Sequence, residues 1–492
     1  MKELRFGVRR WVSAEEKTPH SFLAHDSCQS EICVGQAQQR KTKPSANSRI
    51  NISLNFLCHL SYLYNMVWST LVLSLALFLC SSAALENEYL GKANHTVRLV
   101  HMLYRHGDRT PVRPYPKDPY LNLTNWPVSW GQLTKEGKDR HFKLGQLNRE
   151  RYEGFLSESY DPDEIYVRSS DVDRTLMSAQ CHLAGLYPPT NQTNQTWNPD
   201  LIWQPIPVHT IPKDDDLLLV LESKCPRYDE LLADLNASPE VRQRLDSNKE
   251  LLDYLAENSG LNITEIDDVE YLYDTLFIEN RFNKSLPEWA KKFFPNPMKE
   301  FSDFSFAMKA FTLEMQRLRG GPLVKELVEH LKDYAQSKLT PPNRKLFMYS
   351  AHDVTVATFL SALKIFNGIQ PPYASMVLVE LHELNPNDLS IKILYKNVSD
   401  DGRKPQVLTL PGCTQFCPLD KFFELVKDVT SDDVKVECKL IKPASNFDAM
   451  LVISLLASLS CLLLVALLLV SGLWYRKMRL ENGYAYSTIQ AE

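Results

Sequence analysis

Apolar side chains crowd at Val97, Leu99, Val100, Met102 and Leu103, and the run stops where Tyr104-Arg105-His106-Gly107-Asp108-Arg109-Thr110-Pro111 begins. A short continuous apolar run that ends in a charged, glycine-bearing stretch reads as a buried strand feeding a loop. The layout recurs twice. Residues 163–167 form a second strand that ends in Arg168-Ser169-Ser170-Asp171-Val172-Asp173-Arg174-Thr175 and passes into a helix at 176–186. Residues 345–351 form a third, which delivers His352-Asp353 to a helix at 354–363.

Between these units the period lengthens to that of a helix. A helix follows Thr134, whose hydroxyl suits the N-cap. Residues 201–211 alternate with prolines and read as an edge strand or an extended connector. The stretch 212–297 is helix-rich, and within it Ser238-Pro239 opens a helix whose Val241, Leu245, Leu252 and Leu255 share a face before Gly260 closes it. Asp214-Asp215-Asp216 reads as a solvated helix start rather than a metal site. Residues 301–319 and 322–334 are helices separated by Gly320-Gly321, and 373–384 and 389–395 form an antiparallel pair. Strands alternating with helices predict an α/β fold: a mixed central sheet with helices on both faces, built from 97–211 and 298–440, with 212–297 as an inserted helical cap.

Two longer apolar segments set the compartment. Residues 66–84 have the apolar core and small-residue end of a secretory signal, so 1–65 are expected to be an upstream extension absent from a mature chain beginning near Leu85. Residues 450–474 carry no charge and are long enough to span a bilayer, with Arg476, Lys477 and Arg479 directly after them. The expected topology is type I: a lumenal body, one span, and a cytoplasmic tail at 475–492 too short to fold.

Composition removes other readings. Lys plus Arg number 55 against 60 Asp plus Glu, a formal charge of −5, so no basic field attracts nucleic acid. Acceptor sequons at Asn94, Asn122, Asn191, Asn194, Asn262, Asn283 and Asn397 agree with passage through the secretory route. The lumenal body holds five cysteines, an odd count in an oxidising compartment. Cys413 and Cys417 flank a short loop with no histidine beside it, which favours a small disulfide ring over a zinc site.

Polar groups terminate all three predicted strands: Arg105, His106 and Arg109; Arg168; His352 and Asp353. Ligands of an open α/β sheet sit beyond the carboxyl ends of its strands, so these sets are expected to converge. Guanidiniums beside an imidazole suit a doubly charged anion next to a nucleophile, and phosphate fits best. Singly, each has a plainer reading: His352 as a cap, Asp353 at a helix dipole, Arg168 bridging Asp171 or Asp173. His101 and His209 read as structural.

The Arg-His-Gly-x-Arg-x-Pro loop, the Arg-Ser-x-Asp-x-Asp-Arg-Thr stretch and the later Ser-Ala-His-Asp together resemble the histidine acid phosphatase family, over roughly 97–438, and most its lysosomal and prostatic branch. The resemblance implies a phosphoglycerate-mutase-like sheet and hydrolysis of phosphate monoesters without metal or cofactor. By it, His106 is the phosphorylated nucleophile, Asp353 the proton donor, and Arg105, Arg109, Arg168 and His352 the phosphate ligands. It pairs Cys225 with Cys438 and Cys413 with Cys417, leaving Cys181 free. A third disulfide usual in the branch, from near Phe277 to Met376, has neither cysteine here, so a weaker cap attachment is expected. Related enzymes often dimerise, which makes a homodimer an expectation. In the tail, Tyr486-Ser487-Thr488-Ile489 resembles the tyrosine signals read by clathrin adaptors, with Tyr484 a second candidate, and such a signal would route the protein through the plasma membrane to lysosomes. Two rival functions are an inositol-polyphosphate phosphatase on the same core and a receptor or adhesion ectodomain without catalysis.

Overall fold

The computed structural model describes residues 93, 95–190, 194–397, 405–440 and 446–489. The expected extension at 1–65, the secretory signal at 66–84, and the acceptors Asn94 and Asn191 lie outside the described residues.

The strands are β1 (Val97–Arg105), β2 (Ile165–Ser169), β3 (Leu346–Ala351), β4 (Met376–Asn385), β5 (Asp388–Lys396), β6 (Gln406–Leu408) and β7 (Cys417–Pro418). They form one sheet in the order β2-β3-β1-β4-β5-β6, with β7 on β5. β2, β3 and β1 run parallel, while β4, β5 and β6 are antiparallel, giving the mixed sheet expected. The longer helices are α1 (Lys135–Arg151), α2 (Asp173–Leu186), α3 (Pro226–Asn236), α4 (Pro239–Ser247), α5 (Lys249–Ser259), α6 (Ile266–Arg281), α7 (Met298–Met308), α8 (Leu313–Arg319), α9 (Gly321–Ala335), α10 (Asp353–Ala362), α11 (Leu419–Val426) and α12 (Asn446–Ile489).

Strand side chains alternate between faces, and β1 shows the division. Leu99 and Leu103 join Phe347, Tyr349, Val377 and Val379 in one core with Leu327 and Leu331 of α9 and Val356 and Phe359 of α10. Val100, Met102 and Tyr104 face the other way, with Leu144 of α1 and Leu183 and Leu186 of α2. Burial on both faces explains why β1 and β3 read as continuous apolar runs. α1 and α2 cross at backbone contact, since a Cβ on Gly145 would lie 2.1 Å from the His182 carbonyl oxygen.

Local signals open several helices. Thr134 Oγ1 accepts from Gly137 N at 3.2 Å to open α1, and Ser238 accepts from Val241 N before Pro239 of α4. The expected single helix from Ser238 to Gly260 is instead two, broken at Asn248. Its side-chain amide donates to the Arg244 carbonyl at 2.8 Å, a local bond that competes with the helical ladder. Gly260 closes α5 with φ 76°, the left-handed conformation open to glycine. The expected helix at 301–319 is likewise two, because the Thr312 hydroxyl caps α8 by accepting from Met315 N at 3.2 Å.

The cap has its own core, in which Leu255, Val269, Leu272 and Leu276 meet Met298, Phe301, Met315 and Leu318. The helical part therefore continues past 297 to α8, further than its composition suggested. A disulfide joins Cys225 to Cys438 within this core, and a second joins Cys413 to Cys417. Cys181 is unpaired and half-buried. At the places of the absent third disulfide, Phe277 packs on the cap core and Met376 lies in the sheet core.

Residues 201–211 form a connector, not a strand. Its one ladder contact is at His209, whose N–H donates to Val167 O and whose carbonyl accepts from Ser169 N, both at 2.9 Å. Pro205 and Pro207 lack the donors a longer ladder would need. Within α12, Ile453–Arg479 contains an 18-residue stretch with a mean hydropathy of 2.8 and exposes its side chains. At 1.5 Å per residue Ile453–Arg479 spans about 40 Å, more than the ~30 Å of a bilayer core. The helix runs on to Ile489, so the segment expected to be an unfolded tail continues it.

Candidate active site

β1 and β3 are adjacent and parallel with Arg105 opposite Ala351, so His106 and His352 emerge side by side at their carboxyl ends. The loop after β1 is tied down on every side. His106 N donates to Ala351 O at 3.0 Å, and Ala374 N donates to His106 O at 3.1 Å. Gly107 N donates to Ser178 Oγ of α2 at 3.1 Å, and a Cβ on Gly107 would sit 2.4 Å from the Gly137 carbonyl oxygen. Only glycine passes that gap.

His106 is buried, and its Nδ1 lies 2.8 Å from the Gly107 carbonyl oxygen. A carbonyl only accepts, so Nδ1 carries the proton and Nε2 keeps its lone pair. Burial first, then Arg174, Arg105, His352 and Arg109, hold this imidazole well below its ordinary pKa. It stays neutral in acid surroundings, where a free histidine would be charged.

Arg105 is fixed three ways. Its guanidinium pairs with Asp353 at 2.8 Å, donates to Pro371 O at 2.6 Å and stacks over the Tyr373 ring at 4.1 Å. Arg109 pairs at 3.0 Å with Asp274, which α6 brings from the cap. Arg174, the second residue of α2, points an N–H at His352 Nδ1 at 3.5 Å, while His352 Nε2 lies 2.9 Å from Ser170 Oγ. Burial and the neighbouring Arg109 pull Arg174 down to about 10, and burial with Arg174 pulls His352 down to about 3. The buried Nε atoms of Arg105, Arg109 and Arg174 have no acceptor among the described residues. Buried donors ordinarily find acceptors, and a tetrahedral oxyanion supplies several at once.

Asp353 opens α10 and accepts from its own helix at Val354 N, 2.9 Å away. Burial would raise this carboxyl, but Arg105, then Arg109 and His352, outweigh it and hold the group below the ordinary carboxylate range. It is ionised until something offsets those charges.

Arg168 corrects the sequence reading. Its guanidinium pairs with Asp216 at 2.8 Å and reaches Glu326 at 3.6 Å. Arg168 still lies inside β2, opposite Tyr349, so its side chain leaves through the sheet face toward α9 and not past the strand end. Arg174 stands beyond the strand end and takes the place beside His106. Both arginines belong to the same sequence stretch, and the signal that separates them is position relative to the strand end. Nor is Asp216 solvated: it is fully buried, accepting from Leu218 N and Leu219 N at 3.1 Å as well as from Arg168. Asp274 and Tyr373 were also missed, and no local pattern marks them.

Elsewhere, His101 is buried in a stack with His330 and Phe347, and His209 stacks on Tyr166. Asn122, Asn194, Asn262, Asn283 and Asn397 are exposed.

Residues 96–396 match the family model described as histidine phosphatase superfamily (branch 2). The chain is 41% identical over 396 residues to lysosomal acid phosphatase of Homo sapiens, covering 80% of this chain and 91% of the relative. It is 42% identical over 351 residues to prostatic acid phosphatase of Bos taurus, covering 70% and 88%. Among solved structures, the apo form of Hafnia alvei phytase matches with a TM-score of 0.55 at 17% identity, covering 70% of this chain and 99% of that one.

The geometry around His106 makes a titration prediction. Removing Arg174 takes away the largest positive charge acting on the imidazole, so in Arg174→Ala His106 should protonate at a higher pH than in wild type. Arg168→Ala should leave it where it was. The pH dependence of His106 carbethoxylation, read by mass spectrometry, measures both, and equal shifts in the two variants would contradict the assignment.

Proposed function

The chain belongs to the histidine phosphatase superfamily, branch 2, and we propose that it is an acid phosphatase that hydrolyses phosphate monoesters through a phosphohistidine on His106. The observation that carries this reading is one buried, neutral imidazole with a free Nε2, ringed by Arg105, Arg109 and Arg174, with Asp353 within the same ion-pair network. The three guanidiniums and His352 would hold the phosphoryl oxygens and neutralise charge as the transition state forms.

In the first step the Nε2 lone pair attacks phosphorus, the bond to the leaving oxygen breaks, and Asp353 gives that oxygen its proton. In the second, a water attacks the phosphohistidine, Asp353 takes the water's proton, and the phosphorus–nitrogen bond breaks to return neutral His106 and free phosphate. Acid favours both ends of this cycle. His106 stays unprotonated because burial and cations depress its pKa. A dianionic substrate offsets the arginines that keep Asp353 ionised, which lets the carboxyl carry its proton as the pH falls.

The cap side of the site argues against highly phosphorylated substrates. Asp274 already spends its charge on Arg109, and one turn away on α6 the Glu270 carboxyl is pushed up to about 8 by burial and by Asp274 and Asp353. These two carboxyls supply no positive charge where an inositol polyphosphate would need more cations. The retained nucleophile, cations and acid likewise speak for catalysis over a purely adhesive ectodomain.

The apolar helix α12, the one such helix among the described residues, and the lysosomal relatives support a type I protein of the lysosomal membrane with a lumenal catalytic body, passing through the plasma membrane. Tyr486 and Ile489 would be read by a clathrin adaptor as a strand, which requires the last turns of α12 to unwind on binding. A homodimer is supported by the apolar connector, where Trp197, Leu201, Ile202 and Trp203 are exposed, Ile202 by 81%.

Three outcomes test these readings. His106→Ala should form no phosphoenzyme and lose at least about 10³-fold in kcat, while Asp353→Asn should slow alkyl phosphates far more than an activated aryl phosphate, whose leaving group needs little proton assistance. Rapid quench with labelled substrate and a leaving-group series decide this, and equal losses across leaving groups would remove Asp353 as the acid. Tyr486→Ala should accumulate at the cell surface, as surface biotinylation reads, and uptake equal to wild type would discard the tail signal. Ile202→Lys should shift the detergent-solubilised chain from dimer to monomer by light scattering, and an unchanged mass would place any dimer contact elsewhere.

A further inference from the structure

The loop that follows the nucleophile motif and the cap helix α6 meet along a seam away from the phosphate site. Tyr271 OH donates to Pro114 O at 2.8 Å, Lys117 N donates to Ser259 O at 2.9 Å, and Tyr120 OH donates to Ser285 O at 3.0 Å. At the centre of the seam Asp118 of the loop faces Glu279 of α6, side chain to side chain within hydrogen-bond contact. Both are buried, at 3% and 0% exposure. Asp118 Oδ1 accepts from Tyr120 N at 2.6 Å. Asp118 Oδ2 and both Glu279 oxygens have no donor among the described residues.

Of the charged neighbours, Lys284 lowers the pKa of both carboxyls but does not outweigh their burial and mutual repulsion. Lys284 gives its ammonium to Asn125 O at 2.8 Å and lies over the rings of Tyr120 and Trp126 at 4.5 and 4.6 Å. Tyr115, Tyr120 and Tyr271 are the other titratable groups facing the two carboxyls. Two buried carboxylates in contact strongly resist both being ionised, because mutual repulsion adds to the desolvation of each. One proton between them removes the conflict and makes a bond of it.

We propose that Asp118 and Glu279 are a positioning pair sharing one proton, and that this proton fastens α6 to the catalytic loop more tightly as the surroundings become acid. The same helix carries Asp274, which holds Arg109, and Arg281, which pairs with Asp108 of the nucleophile motif. Fastening α6 therefore fixes two contacts of the catalytic loop. Burial, then Asp118, pushes Glu279 up to about 8, whereas in the unfolded chain both carboxyls are ordinary acids that lose their protons near pH 4. The folded state thus holds an extra proton between about pH 4.5 and 8. Its stabilisation is complete below that window and is lost as the pH rises through it, about tenfold in the folded-to-unfolded ratio per pH unit.

The test uses the full chain in detergent, with stability read by denaturant unfolding at intervals from pH 5 to 8.5. Gln at 279 still donates to the Asp118 carboxylate but carries no titrating proton. Glu279→Gln should flatten the pH dependence of stability by about one proton relative to wild type, Asp118→Asn should do the same, and the double variant should add nothing further. KM for an aryl phosphate should rise with pH less in Glu279→Gln than in wild type. Variant slopes equal to wild type would overturn the proposal, as would wild-type stability that follows added calcium or chelator, since the pair would then be holding a cation. The unfolding readout stands whether or not the phosphatase reading holds.

Discussion

Arg105, Arg109 and Arg174 gather positive charge around one buried imidazole, and the arrangement of the rest of the molecule follows from keeping it there. Like charges out of water repel strongly, and each buried cation needs a partner. Arg105 takes Asp353 from the start of α10, and Arg109 takes Asp274 from the cap. Arg174 makes no ion pair among the described residues, reaching His352 through a weak 3.5 Å contact, and burial with Arg109 outweighs Asp353 and Glu222 in lowering its pKa. The ring is therefore short of negative charge. In the proposed reaction a phosphate dianion would supply what the fold withholds.

That shortage makes the cap part of the catalytic centre and not a cover laid over it. Asp274 completes the neutralisation of Arg109, and Arg281 joins Arg140 on Asp108, inside the nucleophile motif. Both of these cap ion pairs, from Asp274 and Arg281, run through α6. The two cysteines that would otherwise tie the cap near Phe277 to the sheet at Met376 are absent, so ion pairs and hydrogen bonds from α6 to the loop after β1 take part in the attachment. Salt bridges and carboxyl pairs respond to pH where a disulfide would not.

Acid surroundings act on the two halves of the site in opposite senses. Burial and cations keep His106 and His352 neutral well into acid, so the imidazole proposed as nucleophile keeps its lone pair. Burial and neighbouring carboxylates make Glu270 and Glu279 hold protons, so the cap loses negative charge and self-repulsion. Asp353 alone among these carboxyls is driven toward the ionised form, because its nearest neighbours are cations.

Much of this was legible in the chain. Strands buried on both faces need uninterrupted apolar runs, and a run that breaks into Arg-His-Gly or His-Asp marks the place where backbone leaves the sheet, so β1, β3, His106, His352 and Asp353 could be read from order alone. Caps at Thr134 and Ser238 were equally plain, because the capping bond closes within three residues. Helix breaks at Asn248 and Thr312 were not, since a single polar residue interrupts a pattern that is apolar on both sides. Arg168 and Arg174 look alike in sequence. Only the sheet decides between them, by sending one through its face to Asp216 and leaving the other beyond its edge. Asp274 and the pairing of Asp118 with Glu279 lie still further from local reading. The contact from Arg109 to Asp274 spans 165 residues, and a carboxylate's partner or a shared proton is fixed by what burial brings together, not by what adjoins it in the chain.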